Sequence, residues 1–200
     1  DSIFASVYYI QDKRLGSPDG LNTLYGVDRL KFTDKEISLS EFISAQFNNE
    51  SDYLIGTNEN DLIDGAGGDD TIFGLEGDDT LIGGEGNDII DGGPGSNQLY
   101  GDNGNDTIRS SGTNDLVSAG EGNNHITIKN TANGGTFTSS FGDDTYIFES
   151  GARGSFSIES GAGSDTFFID SGISENISIN AGEGNNVLEA LVDIEQFISG

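Results

Sequence analysis

The stretch GLEGDDTLIGGEGNDII, residues 74–90, contains nearly the same nine-residue pattern twice. Glycine opens each copy, a second glycine follows three residues later, and two acidic or amide residues then precede an apolar run. Residues 56–127 divide into eight such blocks, GTNENDLID, GAGGDDTIF, GLEGDDTLI, GGEGNDIID, GGPGSNQLY, GDNGNDTIR, SSGTNDLVS and AGEGNNHIT. We number the positions of a block 1 to 9. Position 4 is glycine in six blocks, position 6 is Asp or Asn in all eight, and position 8 is Ile, Leu or Val in all eight.

A fixed short period is typical of solenoids, in which each repeat adds one structural unit to a stack. Position 8 is expected to be the buried side of one short strand per block, because glycines form the turns and the residues after position 6 are extended. Two blocks then complete one coil. The sequence therefore predicts an all-β fold, a right-handed parallel β-roll (a β-helix solenoid) with an N-terminal β-rich cap.

The period widens after residue 127. The segments SSFGDDTYI (139–147), SGAGSDTFF (160–168) and AGEGNNVLE (181–189) recur at a spacing of 21 residues. We therefore expect three regions: residues 1–52 as an N-terminal cap or the tail of a preceding domain, 53–127 as a nonapeptide β-roll, and 128–200 as a continuation with a period of 20–21 residues. The apolar segment EALVDIEQFIS near the end is expected to cap the stack.

The composition limits the partners of the chain. With 35 Asp and Glu against 8 Lys and Arg, the formal net charge of −27 disfavours nucleic acid and anionic membranes and favours cations. There is no cysteine for disulfides or thiolate metal sites. The apolar run around IFASVYYI is too short to span a bilayer. Because the chain begins at Asp1 without an initiator Met or a signal-peptide region, we expect it to be a fragment of a larger protein.

Position 6 points to a cation. In a roll of this period, position 6 of one block lies beside position 6 of the block two further on, about 4.8 Å away. Like charges at that distance repel by about 1 kcal/mol in water and by more in drier surroundings, so a positive ion is expected between them. Carboxylates with backbone carbonyls suit Ca²⁺, which takes about 6 to 8 oxygen ligands. Mg²⁺ needs tighter octahedral geometry, and zinc or copper would need His or Cys.

The block GGEGNDIID matches the nonapeptide GGxGxDxUx at every specified position, so the chain resembles the RTX (hemolysin-type) calcium-binding repeat family. The resemblance implies a parallel β-roll in the C-terminal repeat region of a bacterial protein, secreted through a type I secretion apparatus and located extracellularly. It also implies that backbone carbonyls of the first four turn residues bind Ca²⁺ together with the side chains at position 6.

Carried over to this chain, the resemblance predicts two rows of metal ligands. The short row consists of Asp61, Asp79, Asn97 and Asp115, and the long row of Asp70, Asp88, Asp106, Asn124, Asp144, Asp165 and Asn186. One ion per adjacent pair gives three in the short row and six in the long row, about nine at most. The turn residues expected to take part are Gly56, Asn58, Gly65, Gly67, Gly68, Gly74, Glu76, Gly77, Gly83, Gly84, Glu85, Gly86, Gly92, Gly93, Gly95, Gly101, Asn103, Gly104, Gly120, Gly122, Gly142, Gly161 and Gly163.

Some sites depart from the pattern. Asn97, Asn124 and Asn186 offer an oxygen without a charge, Ser110 and Ser111 replace a glycine pair, and Glu59 replaces a glycine. The strongest sites are therefore expected between Asp70 and Asp88, Asp88 and Asp106, and Asp61 and Asp79.

Three function classes fit a non-catalytic repeat module. The first is a calcium-binding extracellular module that folds after secretion and stabilises or presents a parent protein. The second is a polysaccharide-binding module of an alginate epimerase-like enzyme or an adhesin, with outward Phe73, Ile82, Tyr100 and Leu116 as candidate contacts. The third, ice binding, is disfavoured because position 7 lacks a regular file of Thr.

Catalysis is also disfavoured. The Asp69–Asp70 and Asp78–Asp79 pairs recur too often to be a glycosidase site. His125 has neither a nucleophile elbow nor an HExxH helix beside it.

Overall fold

The computed structural model describes residues 9–10, 24–25, 29–31, 36–38, 49–173 and 176–191. Every regular element in these ranges is a β-strand. Strand β1 (Tyr9–Ile10) pairs antiparallel with β2 (Leu24–Tyr25), and β3 (Arg29–Lys31) pairs antiparallel with β4 (Glu36–Ser38). The rest of the predicted N-terminal cap up to residue 48, and the predicted C-terminal cap beyond residue 191, lie outside the described residues. Within the described ranges, no helix is long and apolar enough to cross a membrane.

The remaining strands form two parallel sheets that the chain enters alternately. Sheet A contains β5 (Tyr53–Ile55), β7 (Thr71–Phe73), β9 (Ile89–Asp91), β11 (Thr107–Ser110), β13 (His125–Ile128), β15 (Thr145–Phe148), β17 (Thr166–Ile169) and β19 (Val187–Ala190). Sheet B contains β6 (Leu62–Asp64), β8 (Thr80–Glu85), β10 (Gln98–Asn103), β12 (Thr113–Ser118), β14 (Asn133–Thr138), β16 (Arg153–Glu159) and β18 (Ile177–Asn180). Each coil supplies one strand to each sheet, which confirms the predicted all-β parallel roll.

Position 8 forms the core between the sheets, as predicted. Ile72 pairs with Ile90 and Ile90 with Ile108 in sheet A, while Leu81 pairs with Leu99 in sheet B. All five side chains are fully buried. Burying each of them contributes about 1.5–3 kcal/mol relative to exposure. In this part of the roll each strand contributes a single aliphatic side chain to the core.

The core becomes wider and aromatic where the period lengthens. Strands β13, β15 and β17 each have four residues, of which two point inward. The largest fully buried side chains of the described chain are Tyr146, Phe137, Phe148, Phe156 and Phe167. Tyr146 stacks on Phe167 with ring centroids 5.2 Å apart, and Phe148 meets Phe156 edge-on at 5.3 Å. The longer coils thus enclose a thicker core.

Candidate cation-binding turns

The Asp and Asn residues at position 6 lie at the ends of the turns, directly before the strands, except Asp115, which lies within β12. Those of the long row precede strands of sheet A, and those of the short row lead into strands of sheet B. The grouping of these residues into the two rows follows the register of the sheets, because neighbouring parallel strands are one coil apart. The turns therefore lie along two opposite edges of the roll.

A ladder of hydrogen bonds runs through each row. The backbone N–H at position 6 donates to Oδ1 of the side chain at position 6 one coil further on. The N···Oδ1 distances are 2.9 Å from Asp61 to Asp79, 2.7 Å from Asp70 to Asp88 and 2.9 Å from Asp88 to Asp106. The remaining rungs are Asp79 to Asn97, Asn97 to Asp115, Asp106 to Asn124, Asn124 to Asp144, Asp144 to Asp165 and Asp165 to Asn186. The ladder uses one side-chain oxygen of every residue after the first in each row.

Asp52 heads the long row and was missed by the sequence reasoning. Its backbone N–H donates to Oδ1 of Asp70 at 2.7 Å, and its side chain is 4% exposed. The sequence did contain a signal for it. Asp52 precedes Asp70 by the length of two blocks, and Leu54 precedes Ile72, with which it pairs in sheet A, by the same length.

Position 5 forms a second, exposed ladder in the opposite direction. Here the backbone N–H of the later residue donates to the side chain of the earlier one, as from Asn87 to Asp69 at 2.7 Å and from Asn105 to Asn87 at 2.9 Å. The sequence reasoning did not anticipate this ladder, although position 5 of every block is Asp, Asn or Ser. The adjacent Asp69 and Asp70 therefore belong to separate ladders, one at the surface and one buried.

The second carboxylate oxygen divides the turns into two kinds. In open turns the buried Oδ2 of the Asp at position 6 receives no hydrogen bond from any residue that the structure describes. The open turns are those of Asp52, Asp70, Asp79, Asp88, Asp106 and Asp144. A buried oxygen without a partner costs about 1–3 kcal/mol, and more when it is charged. An open turn therefore needs a positive partner or a proton.

Burial raises the pKa of the carboxyl groups in the open turns. It raises the pKa of Asp70 to about 8 and the pKa of Asp106 to about 7. The pKa of Asp88 rises to about 6 for the same reason. The cause is loss of solvent around the charged form, and neighbouring carboxylates add to it. A cation between the carboxylates would offset both effects by stabilising the charged form.

In closed turns with Asp at position 6, the chain itself donates to Oδ2. Asp115 accepts from the Ser110 hydroxyl at 2.6 Å and from the Gly112 N–H at 3.1 Å. Asp165 accepts from the Ser160 hydroxyl at 2.6 Å. Asp61 accepts from the N–H of Thr57 at 2.6 Å and from its hydroxyl at 3.1 Å.

In closed turns with Asn at position 6, the side-chain amide supplies its own donor. Asn97 Nδ2 donates to the Gly93 carbonyl at 3.0 Å, Asn124 Nδ2 to Gly122 at 3.2 Å and Asn186 Nδ2 to Ala181 at 2.7 Å. An N–H group thus points at a turn carbonyl from the side of the residue where Asp would present Oδ2. These turns are neutral and satisfied without an ion.

Glycine at position 1 keeps space beside the carboxylate. A Cβ added to Gly56 would lie 2.6 Å from both Asp61 Oδ2 and the Gly74 carbonyl oxygen, closer than real contacts allow. Gly65, Gly74 and Gly101 face the same combination of a carboxylate from position 6 and a backbone carbonyl of the next coil. The carboxylate and carbonyl oxygens therefore converge in these turns.

Glycine at position 4 is required by the conformation and close packing of the backbone. Gly86 and Gly104 have φ angles of 134° and 136°, a region that strains other residues. A Cβ at either position would also overlap the carbonyl oxygen of the glycine at position 4 one coil earlier.

The other predicted turn residues divide between the turns and the strands. Gly83 and Gly84 lie in β8 and Gly101 lies in β10, so the structure places these three predicted turn residues in strands. The others lie between the strands, namely Gly56, Asn58, Gly65, Gly67, Gly68, Gly74, Glu76, Gly77, Gly92, Gly93, Gly95, Gly120, Gly122, Gly142, Gly161 and Gly163. The side chains of Glu85 and Asn103 are exposed and hydrogen-bonded to each other at 2.8 Å. Their backbone carbonyls accept the N–H groups of Gly68 and Gly86 from the preceding coil.

The donor set suits a hard cation. No group of three or more His, Cys, Asp or Glu side chains that could hold a metal lies within residues 49–173 and 176–191. A bound ion would therefore take backbone carbonyls beside one or two carboxylates, and an all-oxygen set of this kind fits Ca²⁺.

The comparison with known families agrees with this chemistry. The family model described as "RTX calcium-binding nonapeptide repeat (4 copies)" matches residues 48–81, 64–99, 73–108 and 109–127. No curated protein matches the chain. The matched segments begin just before Asp52 and end just after Asn124. The repeat region of this chain, residues 48–127, therefore belongs to the RTX calcium-binding nonapeptide repeat family.

Proposed function

We propose that this chain is a calcium-binding repeat module that folds when it binds Ca²⁺ after secretion, and that it stabilises or presents a larger parent protein. The observation that carries the proposal is the uninterrupted series of open turns at Asp52, Asp70, Asp88 and Asp106. Four buried carboxylates in adjacent coils, each with an unpaired oxygen, are unfavourable without positive charge between them.

The ligands would come from neighbouring coils. The Oδ2 atoms of Asp70, Asp79, Asp88 and Asp106 would hold the ions together with carbonyls of the glycine-rich turns, such as that of Gly83 beside Asp70. Bound Ca²⁺ supplies the positive charge that the buried carboxylates lack. The chain's own part is to hold the carboxylates at a fixed spacing through the Oδ1 ladder and to keep the space beside them free with glycine.

The charge of the chain explains why binding and folding would be coupled. With a formal net charge of −27, the chain repels itself when divalent ions are scarce. Each open turn forms only when two coils are stacked, so a preformed site does not exist in the unfolded chain. Calcium binding is then part of the folding free energy.

A direct test is far-ultraviolet circular dichroism of the chain in a calcium chelator and then in millimolar Ca²⁺. We expect the β signal to increase on calcium addition, with Mg²⁺ at the same concentration as the control. A β signal that is the same in chelator and in Ca²⁺ would reject calcium-coupled folding.

We further propose that the module is extracellular, that it is exported by a type I secretion apparatus and that it is non-catalytic. Family membership of residues 48–127 supports the first two statements. The third is supported by the separation of Asp69 and Asp70 into two structural ladders. A calcium affinity near about 10⁻⁴ to 10⁻³ M, common among extracellular modules, would agree with this location.

An alternative function is binding of extracellular polysaccharide as part of an enzyme or adhesin. Its support is the outer surface of the sheets, where Leu116 is 41% exposed and Phe73 contacts Tyr53 with ring centroids 5.6 Å apart. Glycan-array binding in the presence of Ca²⁺ tests this function. Binding of the chain to arrayed glycans that is lost in the Tyr100→Ala variant would favour polysaccharide binding. Absence of binding would reject it in favour of the calcium-dependent folding module.

A further inference from the structure

Open and closed turns are unevenly distributed along the roll. Before residue 110 the turns of Asp52, Asp70, Asp79, Asp88 and Asp106 are open, and those of Asp61 and Asn97 are closed. After residue 110 the turns of Asp115, Asn124, Asp165 and Asn186 are closed, and that of Asp144 is open. The change coincides with Ser110, which is the first residue at position 1 of the described blocks that is not glycine.

The residue at position 1 explains most of this distribution. Glycine precedes the open turns of Asp70, Asp79, Asp88 and Asp106, where a Cβ would overlap the carboxylate. In the later turns position 1 is Ser or Ala, and its side chain stands on the same side as the group at position 6. Serine brings a hydroxyl donor, as Ser110 and Ser160 do, and both serines are fully buried.

Alanine at position 1 occurs together with Asn at position 6. Ala119 precedes Asn124 and Ala181 precedes Asn186, whose amides close their turns themselves. The chain thus replaces the missing positive charge by a hydroxyl or an amide donor in most turns where position 1 carries a Cβ.

The turn of Asp144 is the exception, and its geometry shows why. Ser139 occupies position 1, but its hydroxyl donates to the Ser160 carbonyl at 2.9 Å. The Tyr146 hydroxyl lies 2.7 Å from the same Ser139 oxygen. The single proton of Ser139 is therefore committed, and Asp144 Oδ2 remains unpaired.

The core changes at nearly the same place. Up to β12, each strand contributes one aliphatic side chain at position 8, whereas from β13 onward the core contains five buried aromatic rings. The later coils therefore bury more apolar surface and also satisfy most of their turns internally. Both features lower their need for an ion.

We propose that a Cβ at position 1 goes with a turn that needs no cation in every turn after residue 109 except that of Asp144, and that the roll accordingly consists of a calcium-requiring part, residues 49–109, and a self-supporting part, residues 110–191. This inference rests on the proposed function, because it assumes that the open turns bind Ca²⁺. The self-supporting part keeps its two sheets folded without calcium. The exposed edges of β12 and β13 then serve as templates on which the earlier coils pair when calcium binds. Strand β11, at the boundary, pairs with β13 on one side and with β9 on the other.

Hydrogen exchange on the full 200-residue chain, measured by mass spectrometry in chelator and in Ca²⁺, tests this division. We expect the amides of β13 to β17 to be protected in both conditions, and those of β6 to β10 to be protected only with Ca²⁺. Simultaneous loss of protection throughout in chelator would overturn the division while leaving calcium-coupled folding intact. Protection indifferent to calcium in every strand would reject the proposed function itself.

Substitutions at Ser160 test the role of position 1. Ser160→Gly removes the donor and opens the turn, so the amides of β17 should lose about tenfold or more of their protection in chelator and recover it in Ca²⁺. Ser160→Ala removes the donor but keeps the Cβ, so the loss should persist in Ca²⁺. Ser157→Gly, at an exposed position of β16, is the matched control. Equal recovery of both Ser160 variants in Ca²⁺, or no loss in either, would overturn the assignment.

Discussion

The backbone N–H of Asp70 donates to Oδ1 of Asp88 at 2.7 Å, across two blocks of sequence and a single coil of the roll. One oxygen of Asp88 is thereby fixed by the neighbouring coil, while the other has no donor among the described residues. The hydrogen bond holds the carboxylate in place, and the free oxygen makes its turn dependent on a positive partner. The hydrogen-bond ladder and the proposed ion binding would thus use different atoms of the same side chain.

Asp88→Asn should lower the number of bound calcium ions. The new amide should close the turn by donating to a turn carbonyl, as Asn97 does with Gly93. Asp165→Asn is the matched control, because the turn of Asp165 is already closed by Ser160. Native mass spectrometry of the calcium-loaded chain measures the stoichiometry. An equal loss of ions in the two variants would contradict the distinction between open and closed turns.

Gly86→Ala should destabilise the calcium-loaded roll by more than the backbone strain alone. The backbone conformation costs an L-residue roughly 1–2 kcal/mol, and the new Cβ would in addition overlap the Gly68 carbonyl. Gly151→Ala is the control, because Gly151 has a φ of 105° but its nearest neighbours lie 3.6 Å from the added Cβ. Urea unfolding in excess Ca²⁺ measures both variants. We expect Gly151→Ala to cost only the backbone strain, and equal costs would refute the overlap argument.

Ala66→Gly should stabilise the roll by up to about 1 kcal/mol. Ala66 occupies position 2 with a φ of 69°, a conformation that glycine adopts without the steric cost paid by alanine. Part of the gain is offset by the greater freedom of glycine in the unfolded chain. Thermal unfolding in Ca²⁺ should show a higher midpoint than the parent chain, and a lower midpoint would show that the strain is absent.

Acidification should promote folding in the absence of calcium. Burial raises the pKa of Asp70 to about 8 and the pKa of Asp106 to about 7, above the ordinary aspartate value of 3.8. Since the folded pKa exceeds the unfolded one, the contribution to stability is complete below about pH 4 and disappears as the pH rises through about 7 to 8. The β signal in circular dichroism of calcium-depleted protein should increase as the pH is lowered from about 8 to about 5. The triple variant Asp70→Asn, Asp88→Asn and Asp106→Asn should show a smaller pH dependence, and an unchanged one would contradict this assignment.

The sequence predicts the strands and the core of the roll well, because they depend on local periodicity. Position 8 identifies Ile72, Ile90 and Leu81 as core residues, and the register between neighbouring strands follows from two blocks per coil. The beginning of the repeat region is harder to recognise from the sequence. Asp52 follows no glycine-rich turn that matches the pattern, so it is revealed by its spacing from Asp70 and by the equal spacing of Leu54 from Ile72.

The kind of each turn could not be predicted from the motif. Asp61 and Asp79 both occupy position 6 of a block that opens with glycine, but Thr57 donates to Asp61, whereas Asp79 receives nothing at Oδ2 from the described chain. The substitution at Ser110 was expected to weaken a site, and the structure gives the physical reason in its hydrogen bond to Asp115. Such differences depend on the direction of a single hydroxyl or amide group.

The register of the sheets makes the length of this roll adjustable only in whole coils. In the aliphatic part, removal of two consecutive blocks, such as the segment 74–91, would bring Asp70 beside Asp106 and leave every inward residue facing inward. Removal of a single block would instead send each later strand to the opposite sheet and place each later turn on the opposite edge. Duplication or loss of genetic segments that encode two blocks can therefore lengthen or shorten the molecule without disturbing its interior. Duplication or loss of a single block would disturb it.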